Sequence, residues 1–337
     1  MEVTSAHTQV PVVEQSQVSA ARFAAHHAAE TAGFTDEDVY RAGLVATELA
    51  TNLVKHATRG ELLVRAVSRA PAGEVELIAI DRGPGMPDLS RSMLDGHSTS
   101  GTPGTGLGAI RRLADEFDIH SQAGKGTAIL ARLRGRRSKR SAITIMEIGG
   151  VSVAKAGEPV CGDAWQTHHH AEGALLVVAD GLGHGLHADE ASRSAIAALD
   201  PARDRDVVAS LRAMHEGARS TRGAAGAVAD VRPRAGRLQF IGIGNIAGSI
   251  CGPSATRHVV SANGILGHEA RQFREYTYPW EPLAILVMHS DGLASHWSLD
   301  DHRGLRQRHP ALVAAVLYRD FSRGSDDVTV IAGREAA

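Results

Sequence analysis

Chemistry-bearing residues fall in two sets along the 337-residue chain. In the first half, Glu48 and Asn52 stand four apart in a helical pattern, so a carboxylate and an amide share one helix face. Downstream, Asp81-Arg-Gly-Pro-Gly85 ends an apolar strand-like run, a tight backbone turn behind a carboxylate. Gly104-Thr-Gly-Leu-Gly108 then opens a helix-like segment, where backbone N–H groups and the helix dipole suit phosphate. In the second half four acids end apolar runs: Asp163, Asp180, Asp291 in Met288-His-Ser-Asp-Gly292, and Asp326 in Ser325-Asp-Asp-Val-Thr329. A carboxylate at the mouth of a buried strand is costly unless a cation sits beside it, so four of them imply a hard divalent cluster. Asp327 is an alternative ligand to Asp326.

These residues need elements to position them. Thr35-Asp-Glu-Asp38 reads as a helix start, and the amphipathic helix that follows, ending near Gly60, carries Glu48 and Asn52. Another helix is expected over Val18 to Thr31, strands over Glu61 to Ser68 and Glu74 to Ile80, and a helix over Ala109 to Phe117. The Ser/Thr-rich stretch Pro87 to Pro103 reads as a lid, stiffened by Pro103. In the second half, strand-like runs at Ile143 to Ala154, Gly173 to Ala179, Arg237 to Gly242 and Leu283 to His289 alternate with helical ones at Ala188 to Leu199, Val207 to Arg219 and Ala311 to Phe321. His168-His169-His170 cannot converge on one ion, because neighbours on a strand alternate faces.

Composition sets the outer bounds. The length favours two domains. Gly135-Arg-Arg-Ser-Lys-Arg-Ser141, with four basic residues and no apolar side chain to bury, reads as a linker. The expected division is residues 1–134, a basic linker at 135–143, and residues 144–337. Net charge is -2, with 36 basic and 38 acidic residues, which argues against a main role in neutralising nucleic-acid phosphates. Two cysteines, Cys161 and Cys251, are too few for a disulfide framework and fit a reducing cytoplasm. No apolar run approaches membrane-spanning length, so neither export nor membrane insertion is expected.

The order ELATN, DRGPG, GTGLG and Gly124-Lys-Gly-Thr127 resembles the N, G1 and G2 boxes of the GHKL ATPase superfamily. Residues Phe34 to Leu133 look most like its RsbT-like serine kinases of the anti-sigma and stressosome type. The resemblance implies a Bergerat-fold α/β sandwich binding ATP and Mg²⁺. In it Asn52 would ligate Mg²⁺ and Glu48 would be the catalytic base toward an attacking serine or threonine hydroxyl. Asp81 would take a hydrogen bond from the adenine amino group beside Gly83 and Gly85. Gly104, Gly106 and Gly108 would surround the phosphates, with Thr127 near the adenine.

The strings GEPVCGDAW, VVADGLGHG, HSDGL and GSDDVTV resemble the metal-dependent PP2C-type phosphatases, specifically the SpoIIE branch and its RsbX-like members. This implies an α-β-β-α sandwich and an overall α/β (α+β) class. Asp180 and the carbonyl of Gly181 would bridge two or more Mn²⁺ or Mg²⁺ ions, and Asp163, Asp291 and Asp326 would complete their shells. Together the halves imply a bifunctional serine/threonine kinase and phosphatase acting on STAS-domain regulators, which control an anti-sigma or sigma regulator. The alternative is an ATP-binding, anti-sigma-type partner-switching module with no kinase turnover, fused to an active phosphatase. Kinases of the first type can also form homodimers or dock on larger assemblies.

Overall fold

The computed structural model describes residues 6–67, 73–87, 106–135, 144–200, 206–270 and 272–336. Apart from Gly135, the basic linker lies outside these residues, as do Gly104 and all of the expected lid except Pro87. The chain divides into two units, one of His7–Arg140 with Asp300–Arg308, the other of Met1–Ala6, Ser141–Leu299 and His309–Ala337. Asp300–Arg308 thus groups with the first unit, although it lies within the second half of the sequence.

In the first unit, β1 (Thr8–Pro11), β2 (Glu61–Val67), β3 (Glu74–Ile80), β4 (Glu116–Gln122) and β5 (Gly126–Arg134) form an antiparallel sheet of order β1-β2-β3-β5-β4. Alternate residues Leu62, Val64, Val75, Leu77, Ile129, Ala131 and Leu133 point to one face, where they join a core with α1 (Gln17–Thr31), α2 (Asp36–His56) and α3 (Gly106–Leu113). The α2 N-terminus is capped by Thr35, whose hydroxyl accepts the Asp38 N–H, and Asp36, Glu37 and Asp38 suit the positive end of the dipole. Leu49 and Leu53 bury the adjacent face of α2, each contributing about 2 kcal/mol of transfer free energy. That fixed apolar seam determines which way Glu48 and Asn52 face.

The helix expected over Ala109 to Phe117 lies instead at Gly106–Leu113, and Phe117 belongs to β4. Sheet pairing wins here. The Asp115 N–H bonds the Arg132 carbonyl and its carboxylate accepts the Arg134 N–H at 2.7 Å, which draws the chain out of the helix onto β5.

The second unit contains two antiparallel sheets. One has the order β13-β10-β9-β8-β7, from β7 (Asp163–His170), β8 (Gly173–Gly181), β9 (Ala224–Arg232), β10 (Arg237–Ile243) and β13 (Tyr276–Pro279). The other has the order β12-β11-β14-β15-β6, from β6 (Met146–Val153), β11 (Ala247–Cys251), β12 (Thr256–His258), β14 (Ile285–His289) and β15 (Val328–Glu335). Strand periodicity explains the layering. On β8, Leu176 and Val178 pack between the sheets with Phe240, Leu286, Met288 and Ile331. Leu175, Val177 and Ala179 point the other way, into a core with Ile196 of α4 (Leu186–Ala197) and Leu211 and Met214 of α5 (Val207–Gly217). The apolar helix α6 (Pro310–Phe321) covers β6 and β15, with Pro310 in its first turn and His309 Nδ1 accepting the Ala311 N–H at 3.0 Å. The result is an α-β-β-α sandwich. Among the described residues no helix is long and apolar enough to cross a membrane.

Candidate active sites

In the first unit, α2 and the start of α3 bring three expected residues together. A Cβ built on Gly106 would stand 3.2 Å from Asn52 Oδ1 and 3.4 Å from Glu48 Oε2. Glycine therefore leaves open a cradle over the carboxylate and the amide. Asn52 Nδ2 is buried without a hydrogen-bond partner among the described residues, so the amide keeps an N–H donor for a ligand oxygen such as that of a phosphate. An oxygen-lined space beside a carboxylate, opened at a helix N-terminus, fits an Mg²⁺–polyphosphate group. Gly108 lies in the same first turn of α3.

Asp81 follows β3 and is 9% exposed. Its Oδ1 accepts the Gly83 N–H at 2.6 Å, and its own N–H donates to the Thr127 carbonyl at 3.0 Å. Gly85 has φ 68°, and a Cβ there would overlap the Gln122 carbonyl. Only glycine lets this loop lie against the β4–β5 turn, where Gly124 N–H also bonds the Pro84 carbonyl at 2.8 Å. Thr127 is buried with its hydroxyl 2.8 Å from Ser121 Oγ, which accepts the Met86 N–H at 2.8 Å. Asp81, Gly83, Gly85 and Thr127 thus form one hydrogen-bonded floor. Ser121 is a member of it that the sequence did not single out.

In the second unit the register of β7 and β8 sets Asp163 directly opposite Asp180. Like charges in that position repel. Burial, then the Asp327 and Asp291 charges, push Asp163 up to about 7 against a hydrogen bond from Ser290. Burial, then the charges of Asp163, Asp291, Asp326 and Asp327, push Asp180 up to about 9. Two facing carboxylates that resist ionisation fit a divalent cation.

Other partners aim the acids. Ser290 Oγ donates to Asp163 Oδ2 at 2.6 Å and accepts the Thr329 N–H at 2.9 Å. Asn245 Nδ2 donates to Asp291 Oδ2 at 2.7 Å, and Asp326 Oδ1 accepts the Asp327 N–H at 3.0 Å. Asp327 is buried, its Oδ1 accepts the Lys155 N–H at 2.8 Å, and burial raises it too. Gly181 N–H bonds the Gly162 carbonyl at 3.1 Å, which ties the Asp180 loop to Asp163. Ser290 and Lys155 were not legible as site residues, because nothing in their spacing marks them.

Two further groups border the Asp180 loop. His184 Nδ1 lies 2.6 Å from Glu158 Oε1, and Arg222 Nη1 donates to the Leu182 carbonyl at 2.9 Å. By contrast, His170 pairs with Asp230 at 2.9 Å, at the far end of β7 from Asp163. Cys161 is buried, and burial and then the Asp163 charge hold its thiol well above the usual range, so it is no nucleophile.

Comparison with known proteins agrees with both halves. Residues 12–133 match the family of histidine kinase-like ATPase domains, and residues 170–334 match stage II sporulation protein E (SpoIIE). The serine/threonine-protein kinase RsbT of Bacillus subtilis (strain 168) is 38% identical over 122 residues, 36% of this chain and 92% of RsbT. The phosphoserine phosphatase RsbX of the same organism is 23% identical over 140 residues, 41% of this chain and 70% of RsbX. Among solved structures, RsbX in complex with magnesium aligns with TM-score 0.52 and 19% identity, covering 58% of this chain and 98% of RsbX. A structure from the bacterial stressosome, a modular system adapted to control secondary messenger signalling, aligns with TM-score 0.52 and 30% identity, covering 56% of this chain and 99% of its own. The chain belongs to the RsbT-like family of histidine kinase-like ATPase domains and carries, in the same polypeptide, a SpoIIE-type domain of PP2C fold.

Proposed function

We propose that this chain is a cytoplasmic writer and eraser of protein phosphorylation, a serine/threonine kinase and a phosphoserine/phosphothreonine phosphatase acting on STAS-domain regulators of a partner-switching pathway. The observation that carries the reading is that one chain holds both the Glu48–Asn52 pair under Gly106 and the opposed carboxylates Asp163 and Asp180. The RsbT and RsbX likenesses support the same pairing of activities.

In the kinase half, ATP with Mg²⁺ would supply the phosphoryl group. Asp81 would accept a hydrogen bond from the adenine amino group and Asn52 would offer its amide oxygen to the cation, while Gly106 keeps the space above the Glu48 and Asn52 side chains clear. Glu48 takes the proton from the incoming serine or threonine hydroxyl. Its presence favours turnover over a module that only holds nucleotide and partner.

In the phosphatase half, Mn²⁺ or Mg²⁺ would neutralise the acid cluster and activate water toward a phosphoester. Asp163, Asp180 with the Gly181 carbonyl, Asp291 and Asp326 would hold the ions. Ser290 and Asn245 fix the directions of Asp163 and Asp291, so the acids need not reorganise when the ions bind. Run together on one residue, the two activities would only consume ATP. Their target residues therefore differ, or partner binding silences one half.

The phosphatase half is tested by incubating the full chain with a phosphoserine-bearing STAS-domain protein and Mn²⁺. Release of phosphate by the wild type and its loss in Asp180→Asn are expected. Equal release by both proteins would contradict the assignment.

A further inference from the structure

Arg222 lies in the turn that leads into β9. The β8–β9 register pairs Gly181 with Ala224 and Asp180 with Ala225, which puts Arg222 just past the Asp180 end of the sheet. Its turn is held in place: the Thr221 hydroxyl accepts the Gly223 N–H at 3.1 Å, and the Gly223 carbonyl accepts the Leu182 N–H at 3.0 Å. Arg222 Nη1 in turn donates to the Leu182 carbonyl at 2.9 Å. Leu182 is two residues from Asp180, a span of at most ~7 Å of extended chain. A Cβ on Gly183, whose φ is 86°, would stand 2.7 Å from Nη1, so glycine makes room for the guanidinium.

A cation beside so many carboxylates would be expected to pair with one. Among the described residues Arg222 makes no ion pair, and its one side-chain hydrogen bond goes to a neutral carbonyl. The side chain is exposed, and four of its five N–H donors remain free for a ligand. The acid cluster by itself repels a phosphate dianion. A planar cation fixed on its rim, with its charge unspent, matches two phosphoryl oxygens in a forked geometry.

We propose that Arg222 binds the phosphoryl group of the substrate, a role that rests on the phosphatase reading above. The test uses the full chain as wild type, Arg222→Ala, Arg222→Lys and Asp180→Asn. Mn²⁺ affinity is measured by calorimetry. At saturating Mn²⁺, inorganic phosphate affinity is then measured by calorimetry and by competition against p-nitrophenyl phosphate. Arg222→Ala is expected to weaken inorganic phosphate and raise KM by ~10- to 100-fold, the range for a lost charged hydrogen bond, with Mn²⁺ affinity unchanged. Arg222→Lys, which keeps a point charge without the fork, should recover part of the loss. Unchanged phosphate affinity in Arg222→Ala, or a loss confined to Mn²⁺ affinity as a mere loop staple would give, overturns the role while wild-type activity upholds the phosphatase reading. A wild type that binds no Mn²⁺ and hydrolyses no p-nitrophenyl phosphate overturns both.

Discussion

Replacing Asp180 by Asn should stabilise the metal-free second unit while abolishing its response to Mn²⁺. Burial and the facing acids raise the Asp180 carboxyl from 3.8 to about 9. Between those values the folded state holds a proton that the unfolded state has released. Stability therefore falls as pH rises through that window, by about 1.4 kcal/mol per pH unit for one fully responding group. At pH 7 the full difference is about 4 kcal/mol. Water at the site mouth, which screens the facing acids, reduces the expected gain to about 1–3 kcal/mol. For a unit of this size that is a rise in Tm of about 3–9 °C, larger at pH 8 than at pH 5.5. All three tryptophans, Trp165, Trp280 and Trp297, lie in the second half, so their fluorescence during unfolding in EDTA reports on that unit alone. With Mn²⁺ at about 100 times its Kd the wild type should gain about 2.7 kcal/mol and Asp180→Asn little, which closes or reverses the gap between them. The reasoning is refuted if Asp180→Asn is less stable than wild type in EDTA at pH 8, or if Mn²⁺ raises both Tm values equally.

Ser290→Ala removes a buried donor to Asp163 and a buried acceptor from Thr329, so it should cost about 1–3 kcal/mol in tryptophan-monitored urea unfolding. It should also weaken Mn²⁺ in calorimetry, most at pH 6, because Asp163 loses the hydrogen bond that opposes its protonation. Gly106→Ala places a methyl group 3.2 Å from Asn52 Oδ1, and titration with a fluorescent ATP analogue should show affinity lower by about tenfold without loss of stability, since alanine favours a helix by up to about 1 kcal/mol.

The sequence carried the fold most clearly where periodicity and end signals agreed. Thr35 with three acids announced α2, and Glu74–Ile80 was read to the residue. It failed where composition and pairing disagreed. β9 is Ala-rich and has no polar alternation, because helices cover one of its faces and the second sheet the other. Phe117 followed a helical pattern, yet pairing with β5 claimed it. Of the clustered acids, Asp180 and Asp291 end apolar runs, whereas Asp163 opens β7 and Asp326 stands just before β15, so those two precede their strands and do not close them. That Asp163 faces Asp180 was not legible, since register is set by contacts along the whole strand. Ser290, Ser121 and Arg222 act through partners 127, 6 and 40 positions away, and only folding reveals such neighbours.

The most direct test of the central claim, two opposed enzymes in one chain, uses labelled ATP and a STAS-domain partner with wild type, Glu48→Ala and Asp180→Ala. The account predicts that label accumulates on the partner's serine or threonine with Asp180→Ala and that none is transferred by Glu48→Ala. No transfer by Asp180→Ala, with ATP binding intact, would contradict it.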